Sequence, residues 1–140
     1  NPEPTLRSET DTGIISTSSI AFSPDGVLLA MTDRRIPHTQ LWDLSGEVPR
    51  RRDDIAIPDI SGGPGRVAFS PTGNSLFVMR DSSSIVEFDL KRLIEKRTWT
   101  LPEPINDFPL SADGRYLATA NGNSTTYILR LEDGSMSQTE

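Results

Sequence analysis

The segment Ile20-Ala21-Phe22-Ser23-Pro24-Asp25-Gly26 recurs twice without gaps, as Val67-Ala68-Phe69-Ser70-Pro71-Thr72-Gly73 and as Phe108-Pro109-Leu110-Ser111-Ala112-Asp113-Gly114. In each copy an apolar stretch runs into a tight turn. Proline fixes φ near about −65° and glycine accepts φ > 0, so the chain can reverse within about four residues. Gly26, Gly73 and Gly114 are spaced by 47 and then 41 residues. Working outward, a second landmark keeps the same register. Fifteen or sixteen residues after each glycine stands a large apolar residue, then a polar one, then leucine: Trp42-Asp43-Leu44, Phe88-Asp89-Leu90 and Leu129-Arg130-Leu131.

Between the two landmarks lie nearly continuous apolar runs: Val27 to Met31, Leu76 to Met79 and Tyr116 to Ala120. Apolar residues on both faces of a short strand indicate a strand covered on both sides. Polar reversals follow, at Asp33-Arg34-Arg35, Asp81 to Ser84 and Asn121-Gly122-Asn123. The landmark strand then alternates. Val86, Phe88 and Leu90 share one face, as do Tyr127, Leu129 and Leu131. Arg50 to Ile57 and Ile94 to Leu101 are the candidate outer strands, each closed by a proline, and their charges suit a solvated edge. No segment sustains a 3.6-residue apolar period. The reading is all-β, in four-stranded units over about 15–58, 62–102 and 104–134 within one partial domain spanning 1–140. The repeat length matches the ~40–45 residues of a β-propeller blade.

These landmarks resemble the WD-repeat (Trp-Asp) β-propeller family over roughly residues 15 to 134. The matching residues are Phe22, Pro24 and Gly26 with Trp42-Asp43, then Phe69, Pro71 and Gly73 with Phe88-Asp89. Gly114 and Leu129 mark a third, degenerate copy. The Gly-His pair of that family is missing from every repeat. The resemblance implies a network of that histidine with a serine or threonine, a turn aspartate and the tryptophan. Asp33, Asp81 and Trp42 match the last two roles, but no histidine is there to complete it. The chain therefore reads as a divergent member. The Ser-Pro-Asp-Gly turn also occurs in TolB-like and lactonase-like propellers.

Propellers close with ~4–8 blades, and three cannot close a ring. Each blade needs a neighbour on both faces. The missing blades are expected from a longer stretch of the same chain, or from a second copy, for instance as a six-bladed dimer. If Thr5-Leu6 begins an outer strand, the order is an outer strand followed by an inner trio, three times over. The chain begins at Asn1 without an initiator methionine, which reads as trimming or as a piece of something longer.

Composition narrows the function. The 140 residues include no cysteine, so disulfides, zinc–thiolate sites, iron–sulfur clusters and cysteine nucleophiles are excluded. His38 is the single histidine, which rules out a multi-histidine metal site. Fourteen Lys and Arg stand against twenty Asp and Glu, a net charge of -6, and the pI is about 4.8. That balance argues against nucleic acid as a partner. No run approaches the ~18 apolar residues of a membrane span, and no signal peptide is visible, which favours a cytoplasmic location.

By the family resemblance, one face carries the loops Asp33 to His38, Ile60 to Gly65, Arg80 to Ser84, Pro102 to Asn106 and Asn121 to Thr125. Arg34, Arg35, His38 and Arg80 give that face positive character suited to an acidic peptide or a carboxylate, unless they are only solvated turn residues. Arg66 and Asp107 occupy equivalent positions at the starts of innermost strands, where they would pair or face channel water. The expected function is a non-catalytic scaffold that presents loops to a protein or peptide, without a cofactor or metal. The alternative is an enzymatic or ligand-binding propeller of lactonase-like or TolB-like type. Asn106, Asp107 and Ser19 would be its innermost candidates.

Several local patterns carry less. Arg50-Arg51-Arg52 is compensated by Asp53-Asp54 and reads as a solvated strand. Gly62-Gly63-Pro64-Gly65 lacks the Lys and following helix of a phosphate loop. Asn123-Ser124-Thr125 fits the short N-glycosylation pattern. Trp42 and Trp99 read as packing residues.

Overall fold

The computed structural model describes residues 17–33, 39–52, 66–122 and 124–139. Among them are twelve strands and no helix. The strands form three four-stranded antiparallel sheets, each a simple meander of consecutive strands. The first sheet holds β1 (Thr17–Phe22), β2 (Leu28–Asp33), β3 (Thr39–Asp43) and β4 (Arg50–Arg51). The second holds β5 (Val67–Phe69), β6 (Ser75–Asp81), β7 (Ser84–Asp89) and β8 (Ile94–Thr100). The third holds β9 (Ile105–Asp107), β10 (Tyr116–Asn121), β11 (Thr126–Arg130) and β12 (Met136–Thr139). These are three blades of a partial β-propeller.

The repeated turn is built the same way in every blade. The serine that opens it donates from its hydroxyl to Asp25 in blade 1 and to Asp113 in blade 3. That hydroxyl also accepts the amide of the first strand residue after the turn, from Leu28, Ser75 and Tyr116 in turn. Blade 2 has Thr72 where the others have aspartate, and its hydroxyl pairs with Ser70 at 3.0 Å. Gly26, Gly73 and Gly114 sit at φ +74°, +78° and +72°, the left-handed region that side chains resist. The aspartates are ionised hydrogen-bond acceptors. The Ser23 hydroxyl, then the Val27 amide, hold Asp25 below the usual carboxylate range, and Ser111 with the Arg115 amide does the same for Asp113.

The second landmark closes each blade from the other side. The leucine after the polar residue donates its amide back across the sheet, Leu44 to Val27, Leu90 to Asn74 and Leu131 to Arg115. Trp42, Phe88 and Leu129 stand at matching register positions, opposite Leu29, Leu76 and Leu117.

Packing between blades follows from the two-residue period of a strand. One face of blade 2, with Val67, Phe69, Leu76, Val78, Val86 and Phe88, packs on Ala30 and Leu41 of blade 1. Its other face, with Phe77, Met79, Ile85 and Trp99, packs on Phe108, Leu117, Tyr127 and Leu129 of blade 3. Burying a side chain of this size contributes about 1.5–3 kcal/mol, so these two seams are the main source of stability. In the middle blade every residue from Ser75 to Met79 and from Ser84 to Phe88 is buried. The expected cover on both faces holds there. In blade 3 the corresponding strands alternate between buried and more exposed residues, whereas in blade 1 only Ala30 to Thr32 and Gln40 to Trp42 are buried throughout.

The seam between blades 2 and 3 is also stitched at its outer rim. Arg97 of β8 donates to the Leu131 carbonyl at 2.9 Å, and the Trp99 indole donates to the Gly134 carbonyl at 3.0 Å. The Arg97 guanidinium lies over the Trp99 ring, 5.7 Å from its centre. The same seam holds the buried Glu87 carboxylate, which accepts from Ser75 and lies 3.8 Å from both Lys96 and Arg97.

Three details depart from the sequence reading. The strand expected to end at Leu110 is interrupted: β9 stops at Asp107, and Leu110 makes only an isolated bridge to Leu117. Pro109 between them has no amide to donate, although its carbonyl still accepts from Ala118. The third blade extends beyond residue 134 through β12. Of the outer strand expected over Arg50 to Ile57, Arg50 and Arg51 are strand, Arg52 is not, and residues 53–57 lie outside the described residues, as does Thr5-Leu6.

The β7–β8 and β11–β12 connections share a device, an amide that reaches back four residues, Leu93 to Asp89 and Gly134 to Arg130. Both residues have positive φ, +60° at Leu93 and +75° at Gly134. A leucine there costs about 1–2 kcal/mol relative to glycine's freedom, partly offset by glycine's larger entropy in the unfolded chain. Leu93→Gly is therefore expected to stabilise the chain by about 0.5–1 kcal/mol. Urea unfolding midpoints of the two proteins measure it. A lower midpoint for the variant would show that the Leu93 side chain contributes more than its strained backbone costs.

Candidate functional site

Each blade's first strand, β1, β5 or β9, is its inner edge, and the three edges are linked in series. The Val67 amide of β5 donates to the Ser19 hydroxyl of β1 at 3.3 Å. Arg66, just before β5, pairs with Asp107 of β9 at 3.3 Å, with both side chains about half exposed (51% and 55%). Asp107 also accepts the Phe108 amide. Two of the three innermost candidates, Ser19 and Asp107, thus bridge neighbouring blades. Asn106, next to Asp107 on β9, is exposed.

The loops at the upper end are bound to one another. The connector from Leu101 to Ile105 joins blade 2 to blade 3. Its Leu101 amide donates to the Ser83 carbonyl at 2.8 Å, and its Ile105 amide donates to the Ser82 carbonyl at 2.7 Å. From the other side, the Asn121 amide group donates to the Glu103 and Pro104 carbonyls at 3.1 and 3.2 Å. Asn121 is itself oriented by Thr119, whose hydroxyl donates to it at 2.6 Å. Asp81, in the matching turn of blade 2, accepts the Ser83 amide. The connector is therefore clamped between the β6–β7 and β10–β11 turns.

The expected basic face is only partly within the described residues. Arg34, Arg35 and His38 lie outside them, as do residues 53–65 with the Gly62-Gly63-Pro64-Gly65 run, and Asn123 of the acceptor pattern. Arg80 is described, and it pairs with Glu95. Trp42 donates its indole N–H to Gln40 at 2.9 Å on the same sheet face, and Trp99 lies in the blade 2–3 core, so both act as packing residues. Among the described residues no group of three or more acidic or histidine side chains converges as a metal site would require. No helix among them is long and apolar enough to cross a membrane.

The lower end differs. The turn aspartates Asp43, Asp89 and Asp133 are held below the usual carboxylate range by local donors: the Ser45 hydroxyl, the Arg92 amide and the Ser135 hydroxyl, respectively. An open cleft of about 390 Å³ lies there at the blade 2–3 seam, lined by Ser70, Ser75, Glu87, Lys96, Arg115 and Glu132 among others. Its charges are mixed, and Lys96 lies 3.8 Å from Glu87.

Sequence reasoning missed Glu87, Arg97 and Thr119, and gave Asn121 only as the start of a loop on the expected face. Strand register was the available signal. Glu87 interrupts the apolar run Ile85-Val86-Glu87-Phe88 on a strand that is otherwise buried, Arg97 and Trp99 share one face of β8, and Thr119 and Asn121 share one face of β10.

No family model matches the chain. No curated protein matches it either. Solved structures do. A candidate 6-phosphogluconolactonase from Bacteroides uniformis superposes with a TM-score of 0.66 at 21% identity, over 87% of this chain and 39% of that one. Hydrazine synthase from Kuenenia stuttgartiensis superposes with a TM-score of 0.69 at 15% identity, over 97% of this chain and 38% of that one. At such identities the likeness is one of fold. The chain spans about two-fifths of the length of each.

The clamp and the ion pair are expected to differ sharply in energy. Asn121→Ala removes two bonds to loop carbonyls and the acceptor of the buried Thr119 hydroxyl proton, and should cost about 2–3 kcal/mol. Arg66→Ala breaks a half-exposed pair, and should cost less than about 1 kcal/mol. Chemical denaturation of both variants measures the difference, and equal costs would contradict the clamp.

Proposed function

We propose that the chain is a non-catalytic binding module, a divergent WD-repeat arc that presents its upper loops to a protein or peptide partner. The observation that carries this reading is the clamped connector. The Leu101 and Ile105 amides and the Asn121 side-chain amide hold residues 101–105 between two turns. A surface fixed before binding loses little conformational freedom on association, which is what a recognition platform needs. Beside the connector stand groups that can meet a peptide backbone or its side chains: exposed Ser82, Asn106 and the Arg66–Asp107 pair. A cation and an anion in one fixed arrangement select for orientation more than for raw affinity. Arg34, Arg35 and His38, which the family resemblance assigns to the same face, would extend it toward acidic partners.

A lactonase-like reading is favoured by the fold likeness to the Bacteroides protein. It would need acidic and amide side chains of several blades to converge on a substrate. Ser19 and Asp107 are instead engaged in holding neighbouring blades, which weighs toward the scaffold.

Peptides selected on the immobilised chain from a random display library test the proposal. Binding should weaken about tenfold or more in Asn106→Ala and Arg66→Ala, while Lys91→Ala at the opposite end leaves it unchanged. Peptides that bind all three variants equally would place recognition elsewhere. Hydrolysis of 6-phosphogluconolactone above the spontaneous rate, abolished by Asp107→Asn, would overturn the scaffold reading in favour of the enzyme.

A further inference from the structure

The buried Glu87 carboxylate faces two cations, and neither hydrogen-bonds to it. β7 and β8 pair with a bulge. Glu87 stands opposite Arg97 and Phe88 opposite Glu95, so Lys96 is the extra residue. A bulge re-aims a side chain. Here both cations reach one carboxylate, Lys96 Nζ at 3.8 Å from Oε2 and Arg97 Nε at 3.8 Å from Oε1. Both distances exceed a hydrogen bond. Oε2 accepts from the Ser75 hydroxyl at 2.9 Å. Oε1 is buried and has no hydrogen-bond donor among the described residues. Arg97 is held away from it, because its guanidinium donates to the Leu131 carbonyl and lies over Trp99. A buried carboxylate oxygen without a donor is costly to keep.

That carboxylate lies where two clefts meet at the lower end. One is the cleft of about 390 Å³ at the blade 2–3 seam, which Glu87 itself lines. The other, of about 480 Å³, lies on blade 2 and is bordered by Lys91, Arg92 and Ile94. They share Asn74, Ser75 and Lys96. Two of those three, Ser75 and Lys96, are the side chains that flank Glu87 Oε2.

We propose that the blade 2–3 cleft binds a neutral polyhydroxylated ligand, a sugar, one hydroxyl of which donates to Glu87 Oε1 and accepts from Lys96. A hydroxyl is an uncharged group that donates and accepts through a single atom, which is what this carboxylate and ammonium together require. Two carboxylates, Glu87 and Glu132, and two cations, Lys96 and Arg115, line the cleft. Their charges balance, so neither an anion nor a cation gains from their sum. An apolar ligand would strip these groups of water and give them no partner. The volume lies within the range of small-molecule sites, about 300–1,000 Å³. Lys96 is 48% exposed on a flexible stem, and its movement opens the way to Oε1. The site rests on blades 2 and 3 alone and is independent of the upper surface proposed above.

Amide NMR titration of the chain with glucose, galactose, mannose, xylose and their disaccharides, up to about 50 mM, tests it over the range in which a millimolar site saturates. Saturable shifts are expected at the amides of Ser75, Glu87, Lys96 and Arg115. Glu87→Gln keeps the side chain's shape and removes its charge, and should weaken the sugar about tenfold. The same variant should gain binding of glucuronate, because Lys96, Arg97 and Arg115 then lose their balance. Asn106→Ala, at the upper end, should leave sugar binding unchanged. No saturable shift with any of these sugars would overturn the inference and leave a buried water as the partner of Oε1. Glucuronate or glucosamine binding the unaltered chain about tenfold more tightly than glucose would overturn it in favour of a charged ligand. Lys96→Met repeats the test, with the same weakening of sugar expected, if Glu87→Gln loses its folded spectrum.

Discussion

Everything in this chain depends on one contact, the insertion of an aromatic and aliphatic sheet face into the face of the preceding blade. A four-stranded meander buries little by itself, because both of its faces are open. Val67, Phe69, Leu76 and Phe88 become core only against Ala30 and Leu41, and Leu117 and Leu129 only against Phe77 and Ile85. The middle blade is stable because it is on both sides of such a contact. The loops at the upper end are placed by the same stacking, since the connector they clamp runs from blade 2 to blade 3.

The turns serve that contact by fixing strand register. A one-residue slip would turn every inserting side chain to the wrong face. The serine hydroxyl at the head of each turn prevents this by accepting the amide of the next strand's first residue, while the glycine three positions on allows the reversal. The leucine after Asp43, Asp89 or Arg130 ties the end of the third strand to the start of the second, at the same end of the blade. Two short motifs, repeated three times, are therefore enough to specify three sheets. The charged groups divide by position. Turn aspartates such as Asp25 and Asp43 serve their own turns, and Glu87 with Arg97 sits within a seam, where a lone charge would be costly.

How much of this was legible in the sequence varies with how local the cause is. The turns and the Trp42, Phe88 and Leu129 landmarks are local, and the sheets form where those motifs put them. The break at Pro109 was also local in principle, since a proline cannot donate to a ladder. β12, with Met136 and Gln138 exposed, carries no apolar alternation to announce it. The clamp was hidden for another reason. Asn121 acts on carbonyls seventeen and eighteen residues away, and only the folded chain brings them together. Of the proposed binding residues, Asp107 pairs with Arg66 as a shared strand position suggested. Arg80 is paired too, because β8 returns Glu95 to its side of the sheet.

The account makes blade 2 the stability centre of the chain, and native-state hydrogen exchange resolved along the sequence tests that most directly. Amides of β6 and β7 should exchange slowest, through global unfolding alone, with those of β2 and β10 faster and those of β12 fastest. Equal protection in all three sheets, or slowest exchange in blade 1 or blade 3, would contradict the claim that burial between neighbouring blades holds the structure together.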